Sequence, residues 1–339
     1  MPVEVLTYKE PPPALFALLK SHAPHSLPLL RRLEFTRFPG GITEHTHVLW
    51  ASDAELADEL PATSAGFTAG YLDFSRGPET QLWLYSSLER DHANGLAADV
   101  AAGPCGEQAV AALRAVRRIR DQEREQYRDC VPGHPSGGGS SVEENEKEEE
   151  EGQQHQLQSS TLLIGALNDQ LRRVLANRGV SFSAVSHWDK WLFRVEALQG
   201  LGVAVGGGVG DPVPGTGIPP GLRWGVVRPE EIPFVLSRTE IERKARTVKL
   251  LPSVAIKLED GTPIAWAFLG PDSSLSSLHC EPQYRGKGLA KRVAVKLLSE
   301  CLQNYGDEGY GWADVAPDNV GSQSVCKSLR GKIVWTVCW

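Results

Sequence analysis

Two glycines set two residues apart, Gly286 and Gly288, interrupt the passage from an extended run to an amphipathic helix. Residues 274–280 read as a strand. From Leu289 onward, Val293, Ala294, Leu297, Leu298 and Cys301 recur at the spacing of one helix face. Between the two lies Pro282-Gln283-Tyr284-Arg285-Gly286-Lys287-Gly288-Leu289-Ala290. A helix that starts from such a turn leaves its first N–H groups without partners, and its dipole adds partial positive charge there. Glycine has no Cβ, so an anion can come close to the main chain. Lys287, Lys291 and Arg292 crowd this helix start, where carboxylates are ordinarily favoured. Each exposed cation so placed costs about 0.3–1 kcal/mol, and a bound polyanion reverses the sign. The competing reading is an ordinary glycine-rich turn with basic residues at the surface.

The surroundings of that turn read as a mixed sheet flanked by helices, an α+β (α/β) architecture. Residues 253–258 form a strand, Asp260-Gly261 a hairpin turn, and residues 263–269 the returning strand. Gly270-Pro271-Asp272 turns the chain into the run at 274–280. The helix at 289–302 is followed by a strand at 311–315, a short helix at 322–329 and a last strand at 332–339. Upstream, Pro229-Glu230-Glu231-Ile232 opens a helix, and residues 241–248 supply another turn or two.

With 339 residues the chain has room for about two domains. The expected division is an N-terminal α/β domain over 1–195, a Gly/Pro-rich linker over 196–221, and a C-terminal domain over 222–339. Residues 47–50 and 81–85 read as short strands, and 107–128 as a helix. Val110, Leu113, Val116 and Ile119 mark the apolar side of that helix, and Arg114, Arg117, Arg118 and Arg120 line the other. The arginines read as a solvated face paired with Asp121, Glu123 and Glu125, with a phosphate patch as the other reading. Leucines at helical spacing predict a second helix over 161–175, ended at Asn177-Arg178-Gly179. Residues 187–193 read as a strand. A disordered acidic insert is expected at about 132–158, where a Gly/Ser run meets a Glu run.

The formal charge of −7 is concentrated there, because seven Glu and one Lys within 142–152 carry −6 of it. The nearly neutral remainder offers no electrostatic case for a nucleic-acid or membrane partner. Residues 1–16 do not have the pattern of a secretory signal, and no apolar stretch approaches the ~20 residues of a membrane span. The six cysteines, at 105, 130, 280, 301, 326 and 338, form no C-x-x-C pair. They read as reduced thiols, with no metal site expected. The expected location is intracellular, cytoplasmic first, with a mitochondrial place left open.

Gln283, Gly286 and Gly288, set between strand and helix, resemble the pyrophosphate loop of the Gcn5-related N-acyltransferase (GNAT) superfamily. The order strand, Asp-Gly hairpin, strand, strand, loop, helix, strand is similar to that fold. Asn319 and Ser322 stand where the superfamily has Asn and a small residue on its next helix. Pro252-Ser253 and Gly261-Thr262-Pro263-Ile264-Ala265-Trp266 resemble the glycine N-acyltransferase-like branch, also called FR47-like. That branch carries an N-terminal half resembling a degenerate copy of the same fold.

The resemblance implies acyl-CoA or acetyl-CoA as co-substrate. Its pantetheine arm would lie along Leu278, His279 and Cys280. Its pyrophosphate would sit on Arg285, Gly286, Lys287, Gly288, Leu289 and Ala290. A small-molecule amine, with an amino acid such as glycine as a candidate, would attack the thioester while a main-chain N–H stabilises the oxyanion. Two positions depart from the family. Where a tyrosine often protonates the thiolate, this chain has Cys326, which reads either as that acid or as a buried helix cysteine. Where a carboxylate base often lies, counting lands on Ser274, with Asp272 the nearest acid. His279 and Asp314 are further candidates, and Glu281 reads as solvated. Arg330 stands where glycine is usual, and the place of the fold's last strand is open. The alternatives are a protein or peptide N-acetyltransferase and a catalytically impaired acyl-CoA-binding protein.

Overall fold

A computed structural model describes residues 3–53, 66–76, 79–93, 103–130, 161–198, 201, 217–239, 241 and 243–339. The expected acidic insert and most of the Gly/Pro-rich linker lie outside the described residues. The chain divides into one unit of Met1–Leu29, Thr43–Val185 and Cys338–Trp339, and a second of Leu30–Ile42 and Ser186–Val337. The main segment of the second unit thus starts at Ser186, where the sequence reading had the N-terminal domain end at 195 and the C-terminal domain start at 222, and the unit takes in a segment from near the N-terminus.

The first unit is built on a sheet in the order β1 (Val5–Tyr8), β2 (Thr46–Ser52), β3 (Phe67–Asp73), β4 (Leu82–Ser86) and β5 (Ile164–Gly165). The first four strands are antiparallel, and β5 runs parallel to β4. Helices α1 (Pro13–Ser21) and α2 (Leu27–Phe35) follow β1, and α3 (Leu88–Ala93) and α4 (Gly103–Cys130) connect β4 towards β5. Val116 and Ile119 of α4 are buried with Leu49, Leu72 and Leu82 of the sheet and with Phe74 just after β3, as the helical spacing predicted. Pro28 falls at the second position of α2, where proline lacks no hydrogen bond that the helix needs.

The helix expected over 161–175 is shorter. It is α5 (Asp169–Asn177), preceded by β5 and the two-residue strand β6 (Leu167–Asn168). Asn168 caps the helix by accepting the Gln170 N–H at 2.9 Å. Ala166, with φ of 51°, turns the chain before that cap. Leu163 and Leu167 therefore belong to extended backbone, although their spacing matches a helix.

The second unit repeats the same order. Strands β8 (Leu222–Gly225), β9 (Ser253–Leu258), β10 (Pro263–Leu269) and β11 (Leu275–Cys280) form an antiparallel meander. The Asp260-Gly261 hairpin joins β9 to β10; Asp260 accepts the Thr262 N–H at 2.8 Å and Gly261 has φ of 97°. Helices α6 (Val195–Leu198), α7 (Ile232–Leu236) and α8 (Ala245–Val248) are short, and α9 (Leu289–Cys301) follows the glycine-rich turn. Val293, Ala294, Leu297 and Leu298 of α9 are all at most 1% exposed in the core they share with Ile256, Ala265 and Trp266. Strand β12 (Tyr310–Val315), α10 (Val320–Ser328) and β13 (Lys332–Cys338) complete the unit.

Strand β7 (His187–Arg194) lies between β12 and β13 and pairs antiparallel with β12. The last strand that the sequence left open is thus replaced by one that precedes the whole meander in the chain and lies inside the sheet, between β12 and β13. Among the described residues, no helix is long and apolar enough to cross a membrane.

Candidate active site

Strands β11 and β12 run parallel but touch at an isolated bridge, Ser274 to Trp312. Beyond it they belong to separate sheets, β11 pairing with β10 and β12 with β7. The main-chain groups that face between them are therefore not consumed by a ladder. Next to the opening, the register of β11 against β10 slips between Trp266 and Phe268. Ser277 carries the slip with φ of 50°, a left-handed conformation that costs a non-glycine residue about 1–2 kcal/mol. A bulge of this kind bends its strand and frees main-chain groups from pairing.

The turn at 285–288 follows directly and is exposed. Gly286 and Gly288 have φ of 76° and 71°, and a Cβ built on either meets no atom within 4 Å. Open space therefore lies on the side from which a ligand would approach. The first hydrogen bond of α9 is the Arg292 N–H to the Gly288 carbonyl, at 3.2 Å. The N–H groups of Gly286, Lys287, Gly288, Leu289, Ala290 and Lys291 have no acceptor among the described residues. Six consecutive unpaired donors at the positive end of a helix form an anion cradle. The neighbouring side chains leave it open. Arg285 folds back to donate to the Cys280 carbonyl at 2.9 Å, and the Lys287 ammonium stands 5.3 Å from the Tyr284 ring centre.

The sequence model of the verG acyl-CoA N-acyltransferase N-terminal domain matches residues 2–194, more than half of the chain. That of the GNAT acetyltransferase family matches residues 229–331. The chain belongs to the acyl-CoA N-acyltransferases of the GNAT family. A Drosophila protein of solved structure is similar across 100% of this chain and 97% of its own, at 13% identity and a TM-score of 0.55. A GCN5-related N-acetyltransferase from Sphaerobacter thermophilus aligns at 10% identity over 98% of this chain and 94% of its own, with a TM-score of 0.44. A tandem GNAT protein from the clavulanic acid biosynthesis pathway aligns at 12% identity over 99% and 98%, with a TM-score of 0.41.

In this N-acyltransferase the four residues singled out as catalytic candidates have different surroundings. Asp272 is 2% exposed and accepts both the N–H and the hydroxyl of Ser274, at 3.1 and 2.7 Å, which makes it a turn cap. Asp314 is bound to Lys190 of β7 at 2.7 Å, with both side chains buried. Cys326 is 3% exposed in the core, and burial pushes its thiol up to about 12. That favours the packing reading which the sequence left beside the acid reading. The His279 side chain is 19% exposed, and its Nε2 is buried without a hydrogen-bond acceptor or donor among the described residues. Its ring lies 4.6 Å from the buried Trp266 ring, nearly parallel to it. Burial lowers its pKa from 6.5, so the neutral imidazole prevails at neutral pH.

Two residues that the sequence did not single out for chemistry stand behind His279. Glu281, read as solvated, is 8% exposed and accepts from Arg238 at 2.9 Å. One of its oxygens lies 3.6 Å from the His279 Nε2. The 43-residue separation of Arg238 and Glu281 leaves no spacing signal from which the pair could have been read. Asn319, exposed, caps α10 by accepting the Ser322 N–H at 3.0 Å. Gln283 is exposed beside the cradle, while Leu278 and Cys280 lie on β11 on either side of His279.

Proposed function

We propose that the enzyme transfers an acyl group from acyl-CoA to the primary amine of a small acceptor, with amino acids such as glycine as the acceptor class. The observation that carries this reading is the row of six open N–H groups beside two parallel strands that part after Ser274 and Trp312. The pyrophosphate would lie on the N–H groups of Gly286 to Lys291, and Lys287, Lys291 and Arg292 would offset its charge. The pantetheine arm would lie along Leu278 to Cys280 in the space where β11 and β12 are unpaired. Asn319 and Ser322 would border the arm from the start of α10.

The acceptor amine must be neutral to attack, and it becomes positive as the new C–N bond forms. His279 would take that proton directly or through a water, since a lowered pKa keeps its imidazole available. Glu281 would orient the ring, and Arg238 would hold Glu281. A main-chain N–H from the bulge around Ser277 and Leu278 would bind the thioester oxygen as it gains charge. With Cys326 in the core, solvent would protonate the departing thiolate.

The test is a panel of acyl-CoAs, acetyl and benzoyl among them, against amino acids and polyamines, following free thiol release. Gly286→Glu places charge and bulk in the phosphate path and is expected to abolish coenzyme binding in calorimetry. Unchanged affinity in that variant would remove the cradle from the mechanism.

A further inference from the structure

Arg238, which follows α7, donates through its Nε to one oxygen of Glu281 at 2.9 Å. The same oxygen lies 3.6 Å from the His279 Nε2. The guanidinium and the imidazole are thus neighbours across a single carboxylate oxygen. The guanidinium carbon also stands 4.7 Å from the Phe234 ring centre. Phe234 in turn meets Trp266 edge-on, with ring centres 5.7 Å apart. Trp266 and His279 are directly opposed on β10 and β11 and so share a face of the sheet. One charge-assisted hydrogen bond and one aromatic ring therefore hold the Arg238 guanidinium on the His279 side.

The far end of that guanidinium is left over. Its Nη1 and Nη2 groups have no acceptor among the described residues, and the side chain is 41% exposed. They form an oriented pair of donors of the shape that fits a carboxylate. The acidic side chains examined above are not open in the same way. Asp272 accepts from Ser274, Glu281 from Arg238, and Asp314 is paired with Lys190. A polyamine finds no open carboxylate among these three, whereas an anionic group finds the Arg238 fork. The span suits one small molecule, because the amine nitrogen and a carboxylate oxygen of an α-amino acid lie about 3 Å apart. Its amine can stand by His279 while its carboxylate lies on the neighbouring guanidinium.

We propose that Arg238 binds the carboxylate of the acceptor through Nη1 and Nη2 and so selects amino acids over amines that lack a carboxylate. This inference rests on the acyl transfer proposed above and adds the group that reads the acceptor. An amine without a carboxylate leaves these donors unmatched, and discrimination arises there. The test follows thiol release from acetyl-CoA with matched acceptors: glycine and methylamine, alanine and ethylamine, phenylalanine and phenethylamine. In the parent chain kcat/KM is expected to favour the amino acid at least tenfold in one or more pairs. Arg238→Gln is expected to abolish that preference, chiefly by raising the KM of the amino acid. Arg238→Lys, which keeps the charge and loses the fork, is expected to recover part of it. The ratio within a pair cancels whatever either variant does to His279 through Glu281. The affinity for acetyl-CoA in calorimetry is expected to stay within twofold of the parent value. The assignment is overturned if the amines match the amino acids in the parent chain, if the preference survives in Arg238→Gln, or if coenzyme affinity falls with it. In those cases thiol release with any acceptor leaves the acyl transfer itself standing. No release with any of the six acceptors, while acetyl-CoA still binds, overturns the acyl-transfer reading and this assignment together.

Discussion

The ammonium of Lys190 lies 2.7 Å from the Asp314 carboxylate, on the directly opposed residue of the neighbouring antiparallel strand. The same ammonium stands 3.3 Å from the centre of the Trp312 ring. Lys190 is 1% exposed, so its buried charge depends on partners such as these. Asp314→Asn is therefore expected to destabilise the second unit by about 3 kcal/mol, because it removes the opposed carboxylate from a buried cation. The pair Lys190→Met with Asp314→Leu is expected to recover most of that loss. Urea unfolding of the three variants checks both values. A catalytic Asp314 would instead lower turnover in the asparagine variant at temperatures where the protein stays folded.

At the end of α10, Arg330 has φ of 59°, and the following Gly331 N–H returns to the Cys326 carbonyl at 2.9 Å. This is the left-handed residue that commonly ends a helix, and it explains why glycine is usual there. Left-handed backbone costs a non-glycine residue about 1–2 kcal/mol. Glycine gives back somewhat less through the entropy of the unfolded chain. Arg330→Gly is accordingly expected to stabilise by about 0.5–1 kcal/mol. Gly331→Ala is expected to do the opposite, since its Cβ would stand 2.5 Å from a Phe193 ring carbon. Denaturation midpoints of the two variants should move in opposite directions.

In the first unit, Glu123 accepts from His45 at 3.2 Å and from His47 at 2.7 Å. The hydrogen bond to Glu123, opposed by burial, raises the His45 pKa above 6.5. Burial alone would raise Glu123, but the hydrogen bonds from the two histidines outweigh it and leave the carboxyl below 4.5. The histidine's contribution to stability is complete below pH 6.5 and is lost as pH rises through its folded value. The carboxylate's contribution is present above pH 4.5 and is lost as pH falls through its folded value. Glu123→Gln is therefore expected to cost most between about pH 4.5 and 6.5, with a smaller cost on either side. Unfolding free energies measured from pH 3 to 9 check the shape, and a pH-independent loss would rule the linkage out.

What could be read from the sequence was local. The cradle follows from two glycines, a run of donors and a helix face, all within 20 residues. The meander from β9 to β11 follows from the Asp260-Gly261 turn, the Gly270-Pro271-Asp272 turn and the three runs that they separate. The insertion of β7 between β12 and β13 could not be read, because a strand at 187–194 does not signal a partner at 310–315. Periodicity also misled at 161–175, where Leu163 and Leu167 match a helix but Ala166 and the Asn168 cap divide the segment. The same limit applied to the chemistry. Asp272 and Asp314 are the right residue type near the right place, and only their hydrogen-bond partners identify them as a turn cap and a strand-to-strand ion pair.

That leaves His279 as the candidate whose role can be separated from a structural one by its pH profile. As a base it must be neutral, so turnover at saturating acceptor is expected to fall as pH drops through its pKa, which burial places below 6.5. His279→Ala is expected to lower kcat by about 10²-fold with the KM for acetyl-CoA little changed. Glu281 raises the His279 pKa through its charge, so Glu281→Gln is expected to move the acid limb to lower pH. Arg238 and the guanidinium of Arg285 act in the other sense, and Arg238→Gln is expected to move the limb upward. A ring that only packs on Trp266 would change stability in these variants and leave the acid limb where it was. Opposite shifts from Glu281→Gln and Arg238→Gln, with the coenzyme's affinity constant, would tie the titrating group to this array.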